Sequence, residues 1–284
     1  MLSPFGTVTA RNAPSTTKFI FGPSVWLRGL IKPAEGYGLA YIDWSQQEFA
    51  IAAALSGDAN MMAAYKSGDP YLAFAKQAGA VPPDGTKATH KPERDLFKTC
   101  VLGTQYGMGV ETLALRISGA TKYPLAAARD LLRAHRDTYP AYWAWSQLNA
   151  DHANLCGFLQ SVLGFHFYVH GDTKLRTETN FPVQGNGSEM LRLAVCLAVE
   201  RGIEVCAPVH DAILIGAPLD RLDADIAAAQ EAMREASEII LGGFSLRTDV
   251  HTVRYPERYM DERGEVMWAR VMKLIGEVEA NVEK

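Results

Sequence analysis

Tyr41-Ile42-Asp43-Trp44-Ser45-Gln46-Gln47-Glu48 follows the short apolar run 39–42 and leads into a helical pattern over 46–55. A buried strand that ends in a carboxylate is costly unless that carboxylate meets a cleft, a metal or a partner. A helix N-cap is the alternative, since Asp43 and Ser45 both precede the helical run. Far down the chain, Pro208-Val209-His210-Asp211-Ala212-Ile213 sets a second aspartate between the apolar runs 205–209 and 212–215. A polar turn is the alternative there, but the centre lacks the Gly or Asn that such turns favour. The pair His210-Asp211 also occurs in metal phosphohydrolases, whose further ligands sit in helical surroundings; the flanking strands here disfavour that class. Two strand-borne carboxylates that converge can hold two divalent ions about 3.5–4 Å apart, the arrangement for in-line phosphoryl transfer.

Between the aspartates, Arg94, Lys98, Leu102 and Tyr106 recur every four residues, near one face of a helix expected over 93–106 and opened by Pro92. That face is roughly 18 Å long, with two cations at one end for phosphates and an aromatic at the other for a base or sugar. An ordinary basic surface with a core tyrosine competes with that reading. Arg176, Asn180 and Gln184 share the same spacing in a segment whose donors suit phosphates or minor-groove acceptors. Pro182 within it argues against a regular helix. If these elements converge, the chain is a nucleotidyl transferase.

The formal net charge of −4 argues against indiscriminate adhesion to nucleic acid. Residues 87–133 nevertheless carry eight Lys/Arg against four Asp/Glu, while residues 217–284 carry nine against fourteen. A basic middle on an acidic body suits an anionic ligand bound at one place, and ordinary surface variation explains the same numbers equally well. No apolar run has the length of a membrane span, and the first residues have no signal-peptide pattern. Cys100, Cys156, Cys196 and Cys206 lack paired metal-ligand spacing, so reduced thiols and a cytoplasmic location are expected.

The pattern predicts further helices over 59–66, 71–78, 110–117, 124–138, 141–153, 187–201 and 222–241. It also predicts a hairpin around Gly164 and a strand near 244–250. The expected fold class is α/β in the α+β sense: an antiparallel sheet platform interrupted by a mostly helical insertion.

In order and spacing, these motifs together resemble family A (DNA polymerase I-like) DNA polymerases over about residues 6–250. Asp43-Trp44-Ser45-Gln46-Gln47-Glu48 is similar to the family's first palm motif, Asp-Tyr-Ser-Gln-x-Glu. Arg94-x3-Lys98-x3-Leu102-Gly103-x2-Tyr106-Gly107 is similar to its fingers helix, and Val209-His210-Asp211 to its second palm motif. Arg176, Asn180 and Gln184-Gly185 match its duplex-contacting segment, and Thr9-Ala10-Arg11 its Thr-Gly-Arg element. The resemblance implies a palm over 1–55 and 157–284 with fingers over 56–156.

It also implies roles. Asp43 and Asp211 would hold two Mg²⁺ ions, with Mn²⁺ as a substitute, and would act with Lys98 as the catalytic set. Arg94, Lys98, Leu102, Tyr106, Gln46 and Glu48 would bind the incoming dNTP, Glu48 excluding a 2′-hydroxyl. Arg11, Arg176, Asn180, Gln184 and His210 would contact primer–template DNA. Leu102 stands for the family's Phe or Tyr, Ala212 for a Glu, and Tyr71 for a phosphate-contacting His. Asp249 is a candidate replacement for that missing Glu. The hairpin also lacks the Arg that often follows its Gly.

Only eight residues precede Thr9, so thumb and exonuclease domains are not expected, and synthesis should be weakly processive unless a protein partner supplies thumb or clamp function. The implied activity is template-directed DNA synthesis, in replication or repair. A polymerase-derived primer–template binding subunit is the main alternative. A single-subunit RNA polymerase conflicts with Glu48, and a metal nuclease would not need the triphosphate helix.

Overall fold

Alternation along the Asp43 strand decides the architecture. The computed structural model describes residues 2–14 and 18–282. In chain order the elements are β1 (Leu2–Ser3), β2 (Ala13–Pro14), a 3-10 turn (Val25–Leu30), β3 (Tyr37–Trp44), α1 (Gln47–Ser56), α2 (Ala59–Lys66), α3 (Pro70–Gln77), α4 (Lys91–Gln105), α5 (Val110–Arg116), α6 (Pro124–Thr138) and α7 (Pro140–Cys156). They continue through β4 (Phe158–Gln160), β5 (His166–Tyr168), α8 (Leu175–Glu200), β6 (Glu204–Val209), β7 (Ala212–Pro218), α9 (Leu222–Ile240), β8 (Thr248–Arg254) and α10 (Glu265–Val282). Among the described residues no helix is long and apolar enough to cross a membrane.

Two compact units emerge. The first comprises Met1–Ser45, Ser188–Glu238 and Ser245–Lys284; the second comprises Gln46–Gly187 and Ile239–Phe244. They divide the chain at 45/46 and 187/188, so the expected 56–156 insertion lies within the second.

A four-stranded antiparallel sheet, ordered β6-β7-β3-β8, organises the first unit. Along β3, Gly38, Ala40, Ile42 and Trp44 are buried and the intervening residues are less so. Period-2 alternation therefore puts Leu39, Tyr41 and Asp43 together on the other face. Leu39 and Tyr41 pack there against Phe19, Phe21, Leu214, Val253 and Tyr259, an apolar floor that ends at Asp43. On α9, buried Leu222, Ile226, Ala229, Met233, Ala236 and Ile240 form the single apolar stripe expected of an amphipathic helix. Helix α10 has no counterpart in the sequence expectations. It follows the Arg28–Asp261 ion pair (2.6 Å), and Trp268 lies so close to Gly29 that a Cβ there would fall 2.6 Å from its ring.

The second unit is helical except for the β4–β5 hairpin. Phe49, Phe74, Phe97, Tyr139 and Tyr142 fill its core. His135 is fully buried among them, and its Nδ1 accepts from Trp143 Nε1 at 3.0 Å. That bond leaves the proton on Nε2, which has no hydrogen-bond partner among the described residues. Burial pushes the imidazole pKa down to about 3. An unfolded-state histidine takes a proton near pH 6.5, and the folded one refuses it until about pH 3. The corresponding stability is complete above pH 6.5 and is lost as pH falls towards 3. His135→Phe should therefore flatten the acid limb by up to about 1.4 kcal/mol per pH unit. Denaturant unfolding at several pH values checks this, and equal slopes for variant and wild type would refute it.

Two expectations are corrected. Pro182 does not break the helix: α8 runs through it from Leu175 to Glu200. A proline forfeits one backbone bond, but tertiary contacts hold this turn. Phe181 is fully buried and stacks on Phe167 at 5.2 Å. Asn186 donates to the Pro182 carbonyl at 2.6 Å and accepts from Val162 N at 2.9 Å. The last strand begins at Thr248, four residues later than expected at Phe244, because Gly242 and Gly243 adopt φ of 60° and 95° and close α9 with a turn. Ser237 Oγ then accepts Leu246 N at 3.0 Å and pins the connection.

Candidate active site

Asp43 is the penultimate residue of β3, and its neighbours across the sheet are Ala212 on β7 and Asp249 on β8. It caps no helix. The N-cap of α1 is Gln46, in a left-handed conformation with no side-chain cap bond, and Ser45 Oγ instead donates to Asp249 at 2.5 Å. Asp211 is a turn residue that the turn sets beside Asp43. Val209 pairs with Ala212, so His210-Asp211 is a two-residue hairpin loop. His210 takes the positive φ of 56° that such a loop needs at its first position. Trp44 N donates to Asp211 O at 3.4 Å, tying the loop to the end of β3.

Three carboxylates thus gather where the sheet's apolar floor stops. Burial, then the charge of Asp211 and a hydrogen bond with it, then the charge of Asp249, push the Asp43 pKa up to about 8. The same burial, with Asp43 and Asp211 nearby, raises the Tyr41 hydroxyl as well. Asp43 Oδ1 is buried, without a hydrogen-bond partner among the described residues. A buried carboxylate oxygen lacking a donor, beside a second carboxylate, fits a hard divalent cation. Among the described residues no group of three or more His, Cys, Asp or Glu is arranged to hold a metal by itself. Mg²⁺ suits such a site, because it commonly takes one or two carboxylates and completes its shell with water and substrate phosphate oxygens.

Arg11 and His210 belong to the same unit and line a cavity of about 30 Å³ with Ser188 and Arg192. Arg192 is a residue that sequence reasoning missed. Its guanidinium donates to the Ala10 carbonyl and lies 3.9 Å from the Phe5 ring centroid, so it fixes the segment that carries Arg11.

The second unit gathers the cations. Arg94 Nε bonds Asp69 at 2.5 Å and its Nη1 bonds Asp95 at 3.0 Å. The Arg94 guanidinium and the Lys98 ammonium lie 5.4 and 5.7 Å from the Tyr71 ring centroid. Burial raises the Tyr71 hydroxyl pKa, Arg94 lowers it, and Asp69 and Glu48 raise it, so Glu48 lies within electrostatic reach of this cluster. Leu102 is half-buried, and Tyr106, at the C-cap of α4, is exposed. Gly107 abuts Arg176, since a Cβ there would lie 3.0 Å from the Arg176 Cβ. Arg176, Asn180 and Gln184 follow at four-residue steps on α8, exposed or half-buried. The expected site residues therefore form two sets. Asp43, Asp211, Arg11 and His210 lie in the first unit, and Gln46, Glu48, Arg94, Lys98, Leu102, Tyr106, Arg176, Asn180 and Gln184 in the second.

The family model for DNA polymerase family A matches residues 20–254. The chain belongs to DNA polymerase family A. This family A chain is 29% identical over 214 residues to thermostable DNA polymerase I of Thermus thermophilus, covering 70% of this chain and 25% of that protein. It is 26% identical over 219 residues to DNA polymerase I of Deinococcus radiodurans, covering 72% and 22%. It is 28% identical over 190 residues to the DNA polymerase of Mycobacterium phage D29, covering 66% and 30%. The chain thus spans about a quarter of the length of these curated relatives. Its fold is shared with the POL domain of Pol1 from M. smegmatis, solved in complex with DNA primer-template and dNTP. There the TM-score is 0.77 at 22% identity, over 89% of this chain and 47% of that one.

Proposed function

We propose that this chain is a template-directed DNA polymerase that adds deoxynucleotides to a primer 3′ end. The observation that carries the reading is the Asp43–Asp211 pair at the end of β3, with a buried, unpartnered Asp43 oxygen. We read the sheet of the first unit as the palm and residues 56–156 as the fingers. Divalent ions bound at Asp43 and Asp211 would activate the primer hydroxyl and neutralise the leaving pyrophosphate.

In this reading the chain's own residues do the rest. Arg94 and Lys98 bind the triphosphate and offset charge that develops on it. Tyr106 and Leu102 close the pocket around base and sugar, and Gln46 holds the nucleotide beside them. Glu48 occupies the space a 2′-hydroxyl would need. Arg11, His210, Arg176, Asn180 and Gln184 hold primer and template, the phosphate contacts fixing register. Asp249 supplies, from β8, a carboxylate where Ala212 supplies none.

A chain of net charge −4 has a limited grip on duplex phosphates. Synthesis is therefore distributive, with added nucleotides dictated by the template and extension falling steeply between about 50 and 200 mM salt. Primer extension with Mg²⁺ over that series, with an EDTA control, tests this. Long products at the upper salt limit would contradict the distributive part. Primer–template binding with no templated incorporation would replace the polymerase reading with that of a binding subunit.

A further inference from the structure

We infer that Asp69 is a positioning residue for the incoming triphosphate, acting through Arg94; the inference rests on the reading of Arg94 as a phosphate ligand. Asp69 and Arg94 are 25 residues apart and meet through the packing of α3 against α4. The carboxylate is itself held in place. Asp69 is the N-cap of α3, where Oδ1 accepts Leu72 N at 3.2 Å and Pro70 occupies the first turn. Its other oxygen takes only the Nε edge of Arg94, at 2.5 Å.

That choice of edge matters. A guanidinium has five N–H donors in a fixed plane. Nε is committed to Asp69 and one Nη1 hydrogen to Asp95, which leaves three donors on the outer fork for a bidentate anion. The Tyr71 ring lies against the same guanidinium. Asp95 is 50% exposed and holds Arg94 weakly, whereas Asp69 is 27% exposed and makes the shorter contact, 2.5 against 3.0 Å. A capped carboxylate therefore sets the angle at which Arg94 presents its free edge, and it spares the ligand the cost of ordering a long side chain. A counter-ion that merely competed with phosphate would cover the outer fork, and Asp69 does not.

The test is single-nucleotide incorporation by wild type, Asp69→Asn, Arg94→Ala and the double variant, with KM for dNTP and kcat read separately. Asparagine caps a helix as well as aspartate does, so Asp69→Asn keeps the fold and its melting temperature close to wild type while removing the charge. The expected result is a rise in KM of about ten-fold, the usual scale of a charged hydrogen bond, with kcat within about two-fold. In the Arg94→Ala background the same change should move KM no further. An unchanged or lowered KM in Asp69→Asn, or an equal rise with and without Arg94, overturns the inference. Arg94→Ala with wild-type KM overturns the phosphate reading of Arg94 instead, and this inference falls with it.

Discussion

Asp43→Asn and Asp211→Asn each reduce templated incorporation by about three orders of magnitude or more, ~4 kcal/mol of barrier. Asparagine keeps the shape of each side chain and removes the charge that a divalent ion requires. Loss of activity here is separable from loss of fold. Asp43 is half-buried, and burial first, then the nearby Asp211 and Asp249, push its pKa up to about 8. A carboxyl raised that far already holds a proton at neutral pH without metal, and asparagine replaces it with another neutral group of the same shape, so Asp43→Asn melts no lower than wild type in EDTA. Ligands that bind only the folded state raise its melting temperature. Mg²⁺ therefore stabilises wild type and leaves Asp43→Asn unmoved. Differential scanning calorimetry with and without Mg²⁺, beside single-turnover incorporation, measures both. A variant that melts well below wild type would make its inactivity a folding defect. An active variant would remove the carboxylate from the chemistry.

Lys98→Ala costs the next largest amount, about 100-fold in kcat/KM, while primer–template affinity stays within about two-fold. Lys98 lies one turn beyond Arg94 on α4, exposed, with its ammonium 5.7 Å from the Tyr71 ring centroid. Among the described residues it makes no ion pair within 4.0 Å, and the Tyr71 ring is the neighbour of its charge. Lysine is a compact point charge on a flexible stem, suited to follow charge as it develops on a transferring phosphoryl group. Lys98→Arg keeps the charge in a bulkier fork and should restore only part of the rate. Steady-state kinetics with a fluorescence measurement of duplex binding separates the two quantities. A loss below about five-fold would assign Lys98 to the surface, as an ordinary basic helix face.

Much of the four-stranded sheet was legible because its signals are local. A short apolar run marked the strand that carries Asp43, and the runs on either side of His210-Asp211 marked two strands, which the structure joins through a two-residue loop that the local residues disfavoured. The cation spacing on α4 was equally plain. The rest depended on contacts between distant segments. Asp249 becomes a neighbour of Asp43 only through the β3–β8 register, and that strand starts four residues later than local pattern suggested. Helix α8 survives Pro182 because Phe181 and Asn186 are anchored by the hairpin segment before it. The helix expected over 71–78 starts at Pro70, with Asp69 as its N-cap. The hold of Asp69 on Arg94 needs α3 packed on α4, and no periodicity within either helix reveals that.

The central claim is that Asp43 and Asp211 make the end of β3 a metal-dependent nucleotidyl transfer centre. The most direct measurement is single-turnover incorporation of each of the four dNTPs opposite each of the four template bases, with Mg²⁺ and with EDTA, by wild type, Asp43→Asn and Asp211→Asn. The account predicts that wild type adds the complementary nucleotide only with the metal, and that neither variant adds any above background. Incorporation that ignores the template base, persists in EDTA, or survives in either variant would contradict it.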